Sequence, residues 1–289
     1  MEEFIKISQQ LGKNILLAQG AGGNTSIKIK NRLYIKASGY KLKDMTLNHG
    51  YACCLYKPLA AYFNGKKRNT KKDEQQFIQL ITGHLIQSET YGLPSMEAGF
   101  HAVIPSKYVF HMHSVYVNIF NCMRYGSLII KKLCKDNPYT ILNYANPGYE
   151  LAYLLSKKQS LPPLIFLKNH GIIIHSQNIS ECLRLTTWIH DIIEEYLKLN
   201  KVFTPFRIAS EKMQMTRYLF PDSAVFSTMD INLLPVSKKK ELLEINSAQQ
   251  YIINTIKRLG RTPAYLNKND VKKLLSMEQE KHRLKIFKE

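Results

Sequence analysis

No run of about eighteen apolar residues occurs in this sequence, so no membrane-spanning helix is expected. Cysteine is sparse: Cys53, Cys54, Cys122, Cys134 and Cys182. An odd number at irregular spacing excludes a disulfide framework. Cys53 and Cys54 are adjacent rather than a CxxC pair, so buried thiols are expected there instead of metal ligands. This usage points to a reducing cytoplasm. The opening MEEFIKISQQ lacks the basic and apolar regions of a secretory signal. Neither a Walker loop nor a GxGxxG fingerprint is found, nor any internal repeat or low-complexity segment. Acidic residues are scarce: 22 Asp and Glu against 41 Lys and Arg leave a formal charge of +19. Such an excess fits nucleic acid, an anionic membrane or a phosphorylated substrate. The cations are dispersed in short clusters, Lys66-Lys67-Arg68, Lys71-Lys72, Lys131-Lys132, Lys238-Lys239-Lys240 and Lys272-Lys273. No DNA or RNA recognition motif accompanies them, so a solvated lysine-rich surface without a nucleic-acid or membrane partner is expected.

What is present is a chain of 289 residues, enough for one large domain or one and a half. Residues 2–18 have the spacing of an amphipathic helix, with Phe4, Ile5, Ile7, Leu11, Ile15 and Leu16 on its apolar side. The small-residue loop 19–26 follows, and then a hairpin of 27–30 and 32–37 closed by Ser38-Gly39. Glycines let backbone amides approach a ligand, and successive free amides make an anion nest; a plain tight turn uses the same residues. Residues 51–56 read as a strand, 57–72 as a polar basic loop, and 73–88 as a helix with Phe77, Ile78, Ile81 and Leu85 inward. Further strands are expected in 138–146, 164–167 and 172–175, and helices at 126–134, 150–157 and 179–199. Thr204-Pro205 marks a boundary. Residues 206–289 read as polar and irregular, ending in a helix from about residue 269 opened by an Asn/Asp cap. This extension holds no HxH, CxxC or Gly-rich site. It is therefore expected to pack on domain 1–205 or on a neighbouring subunit through Leu219, Phe220, Val225 and Phe226.

The chemistry concentrates in 94–114, PSMEAGFHAVIPSKYVFHMHS. Ser95 is a suitable N-cap and Pro105 a helix stop, which puts Glu97 in the first turn and His101 on the same face. On the strand that follows, His111 and His113 are two apart and point to one side. Catalytic zinc takes three protein ligands and keeps one position open. Among the other histidines, His170 is the best third candidate, because Asn169-His170-Gly171 is a turn between apolar strands. His49, His84 and His282 lie in polar segments, His175 reads as a core residue, and His190 lies along a helix.

The order GAGGNTS (20–26), ASG (37–39), PSxE (94–97) with a histidine four residues after the Glu, HxH (111–113) and NHG (169–171) resembles the class II aldolase/adducin family over about residues 2–200. The resemblance implies a three-layer α/β/α fold with a mixed, largely antiparallel sheet, here with a C-terminal extension. It implies a divalent metal, zinc before Mn2+ or another ion, on His111, His113 and His170. It assigns the acid/base carboxylate to Glu97 and a phosphate pocket to Gly22, Gly23, Asn24, Ser38, Gly39 and Ser95. The implied reaction is retro-aldol cleavage of a phosphorylated sugar through a metal-stabilised enediolate, in a homotetramer. Sugar-phosphate epimerases, keto-acid-phosphate decarboxylases and the non-catalytic adducin module share the family. The spacing from Glu97 to His111 and the stretches 219–226 and 277–283 are similar to the aldolase half of bifunctional rhamnulose-phosphate aldolase/dehydrogenases. Catalytic tyrosines have no clear place; Tyr144 and Tyr149 are candidates by proximity to the Asn146-Pro-Gly148 turn.

Overall fold

The computed structural model describes residues 1–65, 71–211 and 214–288; the cluster Lys66-Lys67-Arg68 lies outside the described residues. In chain order the elements are α1 (Glu2–Lys13), β1 (Asn24–Ile29), β2 (Arg32–Lys36), β3 (Tyr51–Leu55), α2 (Tyr56–Ala61), α3 (Lys71–Gly83) and α4 (Ala98–Val103). Then come β4 (Tyr108–Met112), α5 (Val115–Asn121), α6 (Gly126–Leu133), β5 (Tyr139–Leu142), α7 (Tyr149–Ser156), β6 (Leu164–Leu167), β7 (Gly171–Ser176) and α8 (Ile179–Leu199). The extension adds α9 (Pro221–Phe226), α10 (Val236–Arg258), α11 (Lys268–Ser276) and α12 (Glu278–Lys288).

The strands form one seven-stranded sheet in the order β3-β2-β1-β4-β7-β6-β5. Every pairing is antiparallel except β5 with β6. Side chains alternate across a strand, and here both faces are apolar. Phe110, Met112, Ile172 and Ile174 join one buried cluster with α1, α5, α8 and the extension. Val109, Ile165, Leu167 and Ile173 join the other, with α2, α3, α4 and α7. Two helical layers on one mixed sheet is the expected α/β/α architecture. Each fully buried Phe or Ile contributes roughly 1.5–3 kcal/mol relative to exposure.

Several boundaries differ from expectation. α1 ends at Lys13, so Ile15 and Leu16 leave the helix. Residue 56, read as strand, and residues 57–61, read as loop, form α2 over buried Leu59. In α3, Phe77 and Ile81 are buried while Ile78 is half-buried, and the helix stops at Gly83. Residues 236–258, read as irregular, form the 23-residue helix α10. Its Leu242, Ile245, Ile252 and Ile256 do repeat at helical spacing. Intervening polar residues obscure that pattern, because here they are buried and bonded. Gln249 Oε1 accepts from Leu219 N–H at 2.7 Å, and Asn246 Oδ1 lies 2.5 Å from Ser227 Oγ. The final helix is capped by Asn267, which accepts from Asp270 N–H, and it breaks at Met277 into α11 and α12. All five cysteines are free and buried.

His175 on β7 is a core residue, its Nδ1 2.8 Å from Ser106 Oγ. Burial pushes it down to about 4. The folded state therefore prefers neutral His175, while the unfolded chain takes up a proton near 6.5. Between pH 6.5 and 4 the unfolded state holds more protons, so stability falls as pH falls, by on the order of 2 kcal/mol from this group at the acid end. Urea midpoints taken across that window should decline less steeply in His175→Gln. Parallel declines would remove His175 from this role.

Candidate metal centre and active site

α4 begins two residues later than the sequence implies: Glu97, not Ser95, occupies its cap position. Ser95 instead closes a tight turn, its Oγ accepting from Glu97 N–H at 3.3 Å. The helix stops at Val103, since Ile104 is extended before Pro105. The consequence is that Glu97 points into the site while His101 turns away from it. His101 Nε2 donates to Asn24 Oδ1, a pure acceptor, so its Nδ1 accepts from Ser26 Oγ at 2.7 Å. Asn24 Nδ2 in turn donates to Glu97 Oε2 at 2.7 Å and to Ser95 Oγ at 3.2 Å. The chain Ser26–His101–Asn24 thus fixes the Glu97 carboxylate, and Asn24 is spent on that task.

β1 pairs with β4 so that Asn24 lies opposite His111. His111 is the penultimate residue of β4 and His113 follows just past its end, on the same side as Val109. Chain reversal after β4 is set by Ser114, which caps α5 by accepting from Val117 N–H at 3.1 Å. His170 arrives from the β6–β7 turn, where Asn169 takes the left-handed conformation at φ 55° that Asn tolerates. Asn169 Nδ2 ties this turn to the extension through Leu219 O at 2.9 Å and Ala264 O at 2.6 Å. At Gly171 any Cβ would sit 2.3 Å from Met112 O, so only glycine lets β7 approach β4 this closely.

The three imidazoles are buried and offer nitrogens that all lie within 4.8 Å of one another. His111 Nδ1 lies 3.2 Å from Ile172 O and His113 Nδ1 lies 2.8 Å from Asp222 Oδ2. Both partners only accept, so both Nδ1 atoms donate and both Nε2 atoms carry lone pairs. Those lone pairs face each other at 3.2 Å. Glu97 Oε2 stands 3.4 Å from His111 Nε2, and Glu97 Oε1 stands 3.6 Å from His170 Nε2 with no hydrogen-bond partner. Converging lone pairs and a carboxylate with no shared proton are the donor set of a divalent cation, so the residues fit a metal. Burial pushes His111 down to about 4, partly offset by Glu97. Burial and the neighbouring rings of His111 and His113 hold His170 well below its ordinary value. Both are therefore neutral, as ligands must be.

One cavity of about 30 Å³ is lined by Gly22, Gly23, Asn24, Ser38, Gly39, Ser95, Glu97, His113 and His170, and a ring nitrogen of His111 lies within 4.8 Å of those of His113 and His170. The candidate ligands, carboxylate and phosphate-pocket residues therefore meet at one place, and the candidate tyrosines do not. The simple nest is modified: Gly22 N–H already donates to Gln19 O and Ser38 N–H to Leu93 O. Ser38 and Ser95 line the cavity with the remaining loop backbone. Lys36, Asp222 and Arg283 also line the cavity and were not legible beforehand. Lys36 Nζ donates to Ala21 O at 2.7 Å and Tyr40 O at 2.8 Å, locking the two loops together, and burial pushes it down to about 7. Tyr144 and Tyr149 line no part of this cavity; Tyr149 packs among Tyr62, Phe63 and Phe77.

Gly23 has φ +68°, and a Cβ there would stand 2.9 Å from His111 O. Gly23→Val is expected to cost about 1–3 kcal/mol of stability and to raise the apparent substrate constant sharply. Chemical denaturation and saturation kinetics check this; wild-type values in both would show that the loop tolerates a side chain.

Residues 2–197 match the family model described as Class II Aldolase and Adducin N-terminal domain. The chain is 24% identical over 211 residues to an uncharacterized oxidoreductase, YuxG, of Bacillus subtilis; the match covers 68% of this chain and only 29% of that protein. It is 26% identical to the L-fuculose phosphate aldolase of Methanococcus maripaludis, over 70% of this chain and 96% of the relative. In fold it is similar to the N-terminal class II aldolase domain of a Thermoplasma acidophilum protein, with TM-score 0.58, 23% identity, and 68% of this chain and 92% of the other covered. The matched span contains the sheet, Glu97 and the three histidines, and on that match the chain belongs to the class II aldolase and adducin N-terminal domain family.

Proposed function

We propose that this chain is a metal-dependent aldolase-type lyase that cleaves a phosphorylated sugar by retro-aldol chemistry. Residues 1–205 form its catalytic domain and 206–289 close the site. The observation that carries this is the convergence of three buried imidazoles and the Glu97 carboxylate on one point of the cavity bounded by Ser38, Gly39 and Ser95. Bound to His111, His113 and His170, a divalent cation, zinc by first expectation, supplies a Lewis acid that stabilises negative charge on substrate oxygen. Glu97 moves the proton, using the Oε1 that has no hydrogen-bond partner, while Asn24 holds Oε2. Ser38 and Ser95, with the Gly22-Gly23 and Gly39 backbone, orient a phosphate against the reacting carbons.

The test is a panel of phosphorylated ketoses with a divalent metal present, scored for carbonyl fragments. Cleavage that a chelator abolishes and that fails on the unphosphorylated sugar is expected. Formation of an epimer, or release of carbon dioxide from a phosphorylated keto acid, would replace the lyase reading by the epimerase or decarboxylase one. A chain that turns over nothing and holds no metal would leave only the interaction module. The reading carries a homotetramer in the cytoplasm with it. Sedimentation measures the first, and a monomer that is fully active would remove the tetramer. Among the described residues no helix is long and apolar enough to cross a membrane.

A further inference from the structure

We propose that Asp222, delivered by the C-terminal extension, is a positioning residue for His113, and that Arg283 and Glu280 hold Asp222 to that task. This rests on the reading of His111, His113 and His170 as metal ligands. The inner end of the arrangement is His113 Nδ1, 2.8 Å from Asp222 Oδ2. Asp222 Oδ1 accepts from Arg283 Nη2 at 2.8 Å. Arg283 Nη1 then donates to both oxygens of Glu280, at 3.0 and 2.9 Å. Asp222 and Glu280 are fully buried, at 2% and 0% exposure.

A buried carboxylate, guanidinium and carboxylate in a row are costly to desolvate, and a hydrophobic replacement would often be as stable. Their retention in one line is explained by where the line ends. Because Asp222 only accepts, it makes His113 donate through Nδ1 and turns the Nε2 lone pair into the cluster. A carboxylate behind a ligand imidazole fixes the ring and raises its basicity. Arg283 supplies the countercharge on the far oxygen of that carboxylate and leaves Oδ2 to His113. The domain is shaped around this pair as well. A Cβ at Gly22 would lie 2.7 Å from both Asp222 Oδ2 and His113 Nδ1, so the second glycine of the loop is needed to seat the extension's carboxylate. The extension thus completes the metal centre even though it contributes no ligand.

The experiment uses the full chain, stripped with a chelator and titrated with zinc chloride against a chromophoric competitor, with melting of the metal-free forms alongside. His113→Ala is the reference for losing the ligand itself. Asp222→Asn is expected to weaken zinc binding by about 10- to 100-fold at a temperature where melting shows the metal-free variant still folded. Glu280→Gln should give a smaller loss. Wild-type affinity in Asp222→Asn beside a clear loss in His113→Ala would overturn the positioning role alone. Zinc binding unchanged in His113→Ala would overturn the metal reading, and this proposal with it. Should Asp222→Asn not fold, nitrogen-15 spectra of the zinc-loaded wild-type histidines decide: His113 protonated at Nδ1 and shifted at Nε2 supports the proposal, and the opposite tautomer overturns it.

Discussion

Glu97→Gln is expected to lower turnover by about two to four orders of magnitude, the usual worth of a positioned proton-transfer group, while fold and metal are retained. The side chains are nearly isosteric. The Gln amide oxygen can keep the bond from Asn24 Nδ2 now made to Oε2 at 2.7 Å. What is lost is Oε1 as a base, the one oxygen of this carboxylate without a hydrogen-bond partner. Glu97 is not in a helical first turn, so a helix-start function does not account for it. It caps a six-residue helix without making a side-chain cap bond. Steady-state rates on a substrate found by the panel, with metal content measured on the same samples, check this. Metal loss would make Glu97 a fourth ligand, consistent with its oxygens at 3.4 and 3.6 Å from ligand nitrogens. Unchanged turnover would sink the proton-transfer role.

His170→Ala is expected to take the chain from about one divalent ion per molecule to almost none, because a three-ligand site does not hold its ion on two. The scaffold should survive. The turn is held by backbone bonds, His170 N–H to Leu167 O at 3.1 Å and Asn118 Nδ2 to His170 O at 3.0 Å, which alanine preserves. His111→Ala should behave alike, although His111 has no exposed surface and leaves a cavity against Phe100. Elemental analysis after purification without added metal reads the result. Full occupancy in both variants would remove the site as drawn, and loss of fold in His111→Ala alone would leave His170→Ala to decide.

The candidate histidines were legible because each is announced by a local pattern, whereas Glu97 and the phosphate pocket were named by the family resemblance. Alternation at 108–113 puts His111 and His113 on one side whatever else the chain does. Asn169-His170-Gly171 needs a left-handed residue and a bare backbone at a strand junction, and the structure has φ 55° at Asn169 and no room for a Cβ at Gly171. The start of α4 was less legible. Ser95 satisfies the sequence rule for a cap, but its hydroxyl is engaged in the turn before Glu97 and by Asn24, contacts that come from another strand.

Sequence by itself determined the sheet-forming segments, the α/β layering, the long helix 179–199 and the identity of the candidate ligands and base. The segments and the helix follow from periodicities and turn chemistry that act over a few residues, while the layering, the full ligand set and the base follow from the order of the motifs and the family they resemble. Tertiary structure alone decided what surrounds them. Nothing in the strand around Lys36 marks it out, and its ammonium is buried between two loops. Asp222 and Arg283 are 61 residues apart and lie far along the chain from His113. Nothing within their own segments shows that α9 and α12 fold back over the site. α10 illustrates the same limit from the packing side. Its buried Asn246 and Gln249 look like solvent-facing residues until the partners at Ser227 and Leu219 are in place. A buried polar group is stable only when its hydrogen bonds are made, and those bonds join residues that only the folded chain brings together.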